Sequence, residues 1–415
     1  MSLLNDFTTA LLNAIQVPYC TGSVTLDPAA STLFYKAPDS EGAELVDFAH
    51  PTETKLEALS KACQAATFGR AQQDVLDESY RKALKMDASA FATQFAPLEL
   101  GILHTIRQNL LRGQKAEKPI RVELYKLNVY GPGAFFKSHV DTPRSDKMFG
   151  SLVVILPTVH TGGSLLFRHN GREFSFDSAR AVAVNAEGPR AAFVAFYSDV
   201  EHEVLPVDSG YRVTLTYNLY FGDVGSNDQA SIVAPNPVNE HLKASFLALL
   251  KSPTFLAQGG LVGFSLSHQY PFNVESTRLS NVITFLKGAD AAVLNMCNEL
   301  SLEPTLKVVY RGRYEENEFC LMNDFADFDD GEYVEGGLMR YLEEAGGQIV
   351  YRIEKGPSSW GSKNAVPILW FKTGSTLNTF QSQYLAYGNE ATIGYAYGEL
   401  CLVVDIPPAA SRGAQ

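Results

Sequence analysis

Residues 120–141 read IRVELYKLNVYGPGAFFKSHVD, and this stretch decides the fold. Its first eleven residues are rich in β-branched and aromatic side chains, a composition that favours an extended strand. Pro132-Gly133 then supplies a tight turn, and a second β-rich run leads to His139 and Asp141. Two residues apart on an extended chain, these two side chains point to the same face. The stretch therefore predicts a strand, a turn and an extended segment that ends in a paired imidazole and carboxylate.

Short β-rich runs of the same kind continue to residue 221. Turn residues such as Gly162-Gly163 and Asp208-Ser209-Gly210 separate them. Eight short strands at this spacing predict an antiparallel jelly roll. The predicted strands are 120–130, 149–156, 164–168, 172–176, 180–184, 191–197, 201–205 and 211–221.

One histidine and one carboxylate from a single strand supply two ligands of a facial metal site. His202 is the best candidate for the third ligand, because it opens a β-run far enough along a jelly roll to return beside the first. Two imidazoles and one carboxylate would hold Fe(II) and leave three positions open on one face. We therefore predict His139, Asp141 and His202 as metal ligands and catalytic residues. A buried structural histidine is the alternative interpretation of His202.

The strand 211–221 places Arg212, Thr214 and Thr216 on one face. A face that carries a guanidinium and two hydroxyls either lines a polar cavity or faces water. Arg212 follows His202 by ten residues, and a planar, two-pronged donor suits the far carboxylate of an oxo-acid. A structural salt bridge to one of the acidic residues beside His202 is the alternative interpretation of Arg212.

The run from Leu124 to Phe221 resembles the Fe(II)/2-oxoglutarate-dependent dioxygenases of the prolyl 4-hydroxylase type. The likeness rests on LYKLNVYGPGAFFKSHVDTP, GSLVVILPTVHTGGSLLF and FYSDVEHEVLPVDSGYRVTLTYNLYF, about a quarter of the chain. It implies that the H-x-D pair and His202 bind Fe(II), and that Arg212 binds the distal carboxylate of the co-substrate 2-oxoglutarate. It also implies that dioxygen is consumed, that a C–H bond is hydroxylated, and that succinate and CO2 are released.

One position departs from the family pattern Y-x-x-G-x-x-Y-x-x-H-x-D. The residues from Tyr130 to Asp141 match its other fixed positions, but Phe136 stands where the second tyrosine is expected. In the family this second tyrosine helps to hold the co-substrate. We expect Tyr130 or Thr214 to replace the missing hydroxyl, and we assign both to the co-substrate site.

The resemblance to prolyl hydroxylases favours a protein or peptide substrate. A prolyl residue is one candidate for the hydroxylated position. A small-molecule substrate is the alternative, because small-molecule oxygenases share the same ligands and fold. The residues argue against two other classes of protein. A cupin-like metalloenzyme without an oxo-acid is disfavoured by Arg212, and a catalytically silent binding module is disfavoured by the complete ligand set.

The sequence predicts an α+β protein with three regions. Residues 1–118 form an N-terminal helical region that packs on the core, with helices expected at the N-terminus, at 74–86 and at 98–111. Residues 119–221 form the double-stranded β-helix (jelly-roll) oxygenase core. A linker rich in Gly, Ser, Asn and Asp follows at 222–235.

Residues 237–415 are expected to form a C-terminal α+β domain of unknown role. Its predicted elements are helices 240–250 and 279–300 and strands 306–310, 366–371 and 400–406. The acidic run 324–335 is interpreted as a solvated loop, because it lacks the residue order of a calcium loop.

Composition excludes several function classes. The formal net charge is −12 and no Lys/Arg block occurs, which argues against nucleic-acid binding. Five cysteines without a C-x-x-C pair indicate neither a disulfide framework nor a structural zinc site. No basic leader and no long apolar run occur, so we expect an intracellular protein, in the cytoplasm or alternatively in the nucleus, that does not span a membrane.

Overall fold

The computed structural model describes residues 2–14, 18–38, 41–70, 73–111, 119–142, 144–145, 147–169, 171–182, 188–222, 237–270, 272–311, 317–328, 333–334, 337–356, 362–371, 378–386 and 392–414. Its contacts divide the chain into two compact units. The first unit is residues 17–234, and the second is residues 1–16 with 235–415. Except for Gly222, the predicted linker lies outside the described residues, as does part of the acidic run 324–335.

The described helices are α1 (Leu3–Ala14), α2 (Glu53–Ala62), α3 (Ile102–Asn109), α4 (Ser178–Ala181), α5 (Pro237–Leu250), α6 (Leu279–Val282), α7 (Gly288–Glu299) and α8 (Leu338–Glu344). Short 3₁₀ turns occur at Ala88–Ala90, Ile283–Phe285 and Ala409–Ala414. None of these helices is both long enough and apolar enough to cross a membrane, as judged over the described part of the chain.

The strands of the first unit are β1 (Tyr19–Thr25), β2 (Thr32–Lys36), β3 (Ala43–Asp47), β4 (Gln64–Ala65), β5 (Phe68–Arg70), β6 (Gln73–Val75), β7 (Arg81–Lys82), β8 (Leu84–Asp87), β9 (Phe91–Thr93), β10 (Ile120–Tyr130), β11 (Phe135–His139), β12 (Met148–Ile155), β13 (His160–Gly162), β14 (Leu165–His169), β15 (Arg172–Phe176), β16 (Arg190–Tyr197), β17 (Glu201–Val204), β18 (Val207–Gly210) and β19 (Arg212–Phe221).

Two antiparallel sheets form the jelly roll of the first unit. The larger sheet has the strand order β1-β16-β12-β19-β10-β8-β4, and the smaller has the order β15-β14-β17-β11-β7. Side chains from both sheets line one pocket, so the two sheets face each other around it. The predicted α+β class and jelly-roll core are confirmed.

The pairing of β10 with β19 explains why one face of the larger sheet is polar. Tyr130 lies opposite Arg212, and two residues further along Asn128 lies opposite Thr214. Residues directly opposite each other in an antiparallel pair share a face. The intervening residues, such as Val129 and Val213, point the other way and are fully buried in the apolar core. Strand alternation therefore separates a polar face from an apolar one.

Most strands predicted between residues 120 and 221 lie within two residues of the observed ones. The prediction of a strand at 180–184 is wrong, because this segment begins inside helix α4. Asp177 caps that helix, its side chain accepting a hydrogen bond from the backbone N–H of Arg180 at 3.0 Å. The N-cap therefore stabilises a helix here, although the short alternating pattern favours a strand.

The expectation that residues 1–118 are mostly helical is also wrong. Residues 74–86, whose charge order suits a helix dipole, instead contain β7 and β8. Strand β8 pairs with β10, and β7 pairs with β11, so long-range sheet pairing prevails over local helix signals. The helix predicted at 98–111 does form, as α3. Residues 1–16 group with the second unit.

The second unit has the strands β20 (Gly260–Ser265), β21 (Thr305–Arg311), β22 (Glu318–Met322), β23 (Tyr333–Val334), β24 (Gln348–Arg352), β25 (Val366–Phe371), β26 (Thr379–Ala386) and β27 (Thr392–Ile406). They form one sheet in the order β20-β25-β24-β22-β21-β27-β26-β23. Strand β20 also pairs with β27, which closes six of these strands into a barrel.

Apolar side chains fill this barrel and cover it. One cluster contains residues from each of the six strands, among them Leu261, Phe319 and Ile368, and occupies the interior. A larger cluster joins the other face of the strands to helices α1, α5 and α7. The helix predicted at 279–300 is interrupted near Gly288, whose φ is +55° and whose missing Cβ would lie 2.2 Å from the His268 ring.

Candidate metal centre

The three predicted metal ligands lie together in the first unit. His139 ends β11, and His202 lies directly opposite it on β17. Their ring centroids are 4.1 Å apart, and the Nε2 atom of His202 lies 3.9 Å from Oδ1 of Asp141. One ligand atom from each residue lies within 4.8 Å of the other two. The structure therefore brings together the H-x-D pair and His202, with both histidines in the smaller sheet and Asp141 just beyond it.

Backbone carbonyls fix the tautomer of both imidazoles. The Nδ1 atom of His139 lies 2.8 Å from the carbonyl oxygen of Lys137, and Nδ1 of His202 lies 3.0 Å from that of Val200. A carbonyl only accepts, so each Nδ1 carries the proton and donates it. Each Nε2 is left with a lone pair for a metal ion, and the ring orientation is fixed as metal sites require.

Asp141 is held ready as an anionic ligand. The hydroxyl of Ser151, on β12, donates to its Oδ2 at 2.5 Å and leaves Oδ1 facing His202. Burial alone would raise the pKa of Asp141, but His202, His139 and the Ser151 hydrogen bond together bring it below the usual value. Burial, and next the nearby His202, hold the pKa of His139 well below its usual value. A carboxylate and a neutral imidazole are the forms that bind a divalent cation.

Phe136, which stands where the family expects a tyrosine, supports the first imidazole. Its ring stacks on that of His139, with centroids 3.5 Å apart and planes at 23°. The guanidinium of Arg81 covers the opposite side, 4.3 Å from the Phe136 centroid. Arg81 is buried and donates to the carbonyl of Thr67 at 2.7 Å and to Oδ1 of Asn128 at 2.9 Å.

The three ligands open into a pocket of about 490 Å³ between the two sheets, a volume that includes its mouth. The polar part of its lining comes mainly from β10 and β19, namely Lys126, Asn128, Tyr130, Arg212, Thr214 and Thr216. The structure thus places Arg212, Thr214 and Tyr130 in the same pocket as the metal ligands.

Arg212 is buried with one donor unused. Its Nε donates to the hydroxyl of Ser178 at 3.1 Å, but its buried Nη2 has no hydrogen-bond partner among the described residues. No described carboxylate forms an ion pair with it, in contrast to the salt-bridge interpretation. Burial lowers the pKa of Arg212 to about 10, so it remains charged at neutral pH. Because an unsatisfied buried donor is costly, the Nη2 group fits the carboxylate of a bound oxo-acid.

The turn at Gly162-Gly163 makes room for this arginine. Gly163 has a φ of +69°, and a Cβ there would lie 2.9 Å from Cδ of Arg212. Its carbonyl accepts a hydrogen bond from Ser178 at 3.1 Å, and Ser178 in turn holds the Arg212 Nε. Glycine is therefore required at residue 163 both for backbone conformation and for the approach of the guanidinium.

Sequence reasoning missed Arg81, Ser151, Ser178 and Lys126. Arg81 lies in a segment that was predicted to be helical, and Ser178 begins a helix that the sequence did not predict, so neither carried a local signal. A signal for Lys126 was present in IRVELYKLNVY, where Lys126, Asn128 and Tyr130 alternate with apolar residues. A polar residue at every second position of a central strand marks a polar interior face.

Residues 125–220 match the family model of the 2OG-Fe(II) oxygenase superfamily. This segment contains the three ligands and Arg212. The match to this segment indicates a 2-oxoglutarate-dependent dioxygenase. Its cofactors are Fe(II), 2-oxoglutarate and O2, and the cluster of His139, Asp141 and His202 fits the iron site. A comparison with curated proteins found no match.

The chain is also similar to several solved structures. A Pseudomonas putida prolyl-4-hydroxylase has 17% identity and a TM-score of 0.30, over 52% of this chain and 100% of that one. A Trichoplax adhaerens prolyl hydroxylase, solved with a hypoxia inducible factor peptide, has 16% identity and a TM-score of 0.32, over 53% and 92%. The viral collagen prolyl hydroxylase of Paramecium bursaria Chlorella virus-1 has 13% identity and a TM-score of 0.25, over 50% and 97%.

Proposed function

We propose that this protein hydroxylates a C–H bond of a protein or peptide substrate and releases succinate and CO2. His139, Asp141 and His202 hold the Fe(II), and Arg212 binds the distal carboxylate of 2-oxoglutarate. One observation carries this proposal. The pocket that contains the three-ligand cluster also contains a buried guanidinium whose Nη2 lacks a partner among the described residues.

Fe(II) with 2-oxoglutarate and O2 supplies an oxidant strong enough for an unactivated C–H bond. The residues of the chain orient and hold the reactants. The carbonyls of Lys137 and Val200 keep both imidazoles turned toward the metal, and Ser151 fixes the carboxylate. At the other end, Ser178 anchors Arg212 so that Nη2 is free for the co-substrate.

Tyr130 and Thr214 are proposed to complete the co-substrate site. Tyr130 lies opposite Arg212 in the strand register, and its ring centroid is 5.4 Å from the guanidinium carbon. Thr214 is buried two residues further along the same face. Their hydroxyls can donate to the carboxylate that Arg212 binds, in place of the hydroxyl absent at Phe136.

The exposure of the ligands supports a polypeptide substrate. The side chain of Asp141 is 29% exposed, whereas that of His202 is only 7% exposed. Val140, between the two residues of the H-x-D pair, is also exposed. An iron ion held by these residues would be accessible from the Asp141 side to a residue that protrudes from a longer chain.

Mass spectrometry of a treated cell extract tests this proposal. Extract is incubated with Fe(II), 2-oxoglutarate and either wild-type enzyme, the Asp141→Ala variant, or Glu44→Ala as a matched loss of an exposed carboxylate. We expect a mass gain of one oxygen atom on peptides with wild type and Glu44→Ala, and none with Asp141→Ala. Oxidation confined to metabolites would replace the polypeptide substrate with a small molecule. No succinate release at any Fe(II) loading would contradict the proposed reaction itself.

A further inference from the structure

The charges of the catalytic pocket do not balance. Three cationic side chains, Arg81, Lys126 and Arg212, line it, and Asp141 is the only carboxylate among the described lining residues. Under the proposed function, the charge of Fe(II) is offset by Asp141 and by one carboxylate of 2-oxoglutarate. The other carboxylate offsets Arg212. Arg81 and Lys126 then face the pocket without a counter-charge.

Arg81 has no carboxylate partner and keeps an unused donor. It is 4% exposed, and its two terminal nitrogens donate to the neutral oxygens of Thr67 and Asn128. Its buried Nε has no hydrogen-bond partner among the described residues. A buried guanidinium bound only by neutral acceptors has a charge that no described residue compensates, and away from bulk water it attracts an anion strongly.

Lys126 is a second cation without a counter-ion. No described residue forms a hydrogen bond or ion pair with its Nζ, whose contact is the ring of Tyr125 at 4.5 Å. Burial, and next the charge of Arg81, lower the pKa of Lys126 to about 7, and an anion bound beside it would favour its charged form. On the paired strands, Lys126 lies opposite Thr216, and Thr216 lies opposite Val153. Val153 is two residues from Ser151, which donates to Asp141, so Lys126 is at the metal end of the pocket.

The co-substrate is too short to reach from one end of this pocket to the other. Lys126 and Tyr130, which lies opposite Arg212, are four residues apart on β10, or about 13 Å along the strand. The four carbon–carbon bonds of 2-oxoglutarate span at most about 6 Å. Arg212 and the iron together account for both of its carboxylates. Lys126 and Arg81 are therefore available to another molecule.

We propose that the substrate carries a carboxylate close to the hydroxylated carbon, and that Lys126 and Arg81 bind this carboxylate. The proposal rests on the proposed function, because it requires that Fe(II) and 2-oxoglutarate neutralise the charges of Asp141 and Arg212. An aspartate or glutamate side chain of a polypeptide has the required chemistry. Lys126 thereby determines substrate specificity and is separate from the co-substrate site.

Calorimetry with paired peptide pools tests this proposal. The enzyme is loaded anaerobically with Fe(II) and 2-oxoglutarate, which allows binding without turnover. It is titrated with blocked random pentapeptides whose central residue is either Asp or Glu, or the neutral Asn or Gln. A charge-assisted contact of about 1.5–3 kcal/mol predicts roughly 10- to 100-fold tighter binding of the acidic pool. Lys126→Met should lose this preference, Lys126→Arg should retain it, and Lys36→Met, a matched change at an exposed lysine, should leave it intact.

The outcomes separate this inference from the proposed function. Equal affinity of wild type for the two pools, or binding of neither, would overturn the inference. A Lys126→Met variant with weaker 2-oxoglutarate binding and an intact acidic preference would place Lys126 in the co-substrate site instead. A folded, Fe(II)-loaded wild type that fails to bind 2-oxoglutarate would contradict the proposed function.

Discussion

The two units enclose their interiors with sheets, but they fill them with opposite chemistry. In the second unit, the closed barrel is filled by apolar side chains such as Leu261, Phe319 and Ile368. In the first unit, the space between the facing sheets is lined by two guanidinium groups, a lysine, hydroxyls, an amide and the three predicted metal ligands. Burial of polar groups reduces stability unless they find partners. The polar interior therefore indicates a binding site, and the apolar interior indicates a structural core.

Two buried charges show this difference most clearly. Asp290, in the second unit, accepts hydrogen bonds from the backbone N–H groups of Ser267 and His268 and from the hydroxyl of Tyr270. Its bonding capacity is met within the chain. Arg212, in the first unit, has a buried Nη2 that no described residue satisfies. A buried charge whose hydrogen bonds are satisfied within the chain stabilises the fold, whereas a buried charge with an unsatisfied donor indicates a ligand site.

Removal of a metal ligand should have the largest effect. Either His139→Ala or His202→Ala leaves two of three protein ligands, and we expect Fe(II) binding and turnover to be lost together while the protein remains folded. Anaerobic Fe(II) titration and circular dichroism measure the two properties. His50→Ala, at an exposed histidine, is the control and should bind iron as wild type does. Wild-type iron affinity in the His202→Ala protein would show that the ligand assignment is wrong.

Loss of the Arg212 guanidinium should have the next largest effect. Its bidentate, charge-assisted contact is worth about 2–4 kcal/mol, so Arg212→Ala should raise the 2-oxoglutarate requirement roughly 30- to 1,000-fold. Fe(II) affinity should change little. Arg212→Lys should recover part of the loss, because a lysine keeps the charge and loses the planar fork. An unchanged co-substrate requirement in Arg212→Ala would make this arginine a structural residue, like Asp290.

A smaller effect is expected from a change at Ser151, which donates a hydrogen bond to the predicted metal ligand Asp141. Ser151→Ala removes the hydroxyl that donates to Asp141, so the carboxylate is less well oriented. Loss of such an outer partner typically costs about 10- to 100-fold in metal affinity. Competitive titration with a chelator of known affinity would measure the change. Iron affinity equal to that of wild type would mean that Asp141 is positioned by the backbone alone.

The smallest effect on the site is expected from the second unit. Asp290→Asn retains one acceptor oxygen for three donors, so we expect a loss of about 1–3 kcal/mol in the free energy of unfolding. Iron and 2-oxoglutarate affinities should stay at wild-type values. Chemical denaturation and the two titrations, made on the same preparation, would test this contrast. Weakened iron binding at unchanged stability would remove the distinction between the two buried charges.

The sequence predicted residues that the structure brings together in one pocket, and it missed several of the residues that contact them. His139, Asp141, His202 and Arg212 follow a spacing along consecutive strands, so strand alternation and the family pattern were sufficient to find them. Arg81 and Ser178 depend on pairing between residues far apart in the chain, and both lie where local patterns misled. Residues 74–86 have helical charge order, but β7 and β8 form because β11 and β10 offer them partner strands. Local sequence carries no information on such partners.

Succinate release in the absence of a substrate tests the central claim most directly. Wild-type protein and the Asp141→Ala variant are loaded anaerobically with Fe(II) and 2-oxoglutarate, then exposed to O2. We predict Fe(II)- and O2-dependent conversion of 2-oxoglutarate to succinate by wild type, and none above the protein-free background by Asp141→Ala. Equal succinate release by the two proteins, or none by a wild type that has bound iron, would contradict the account of this site.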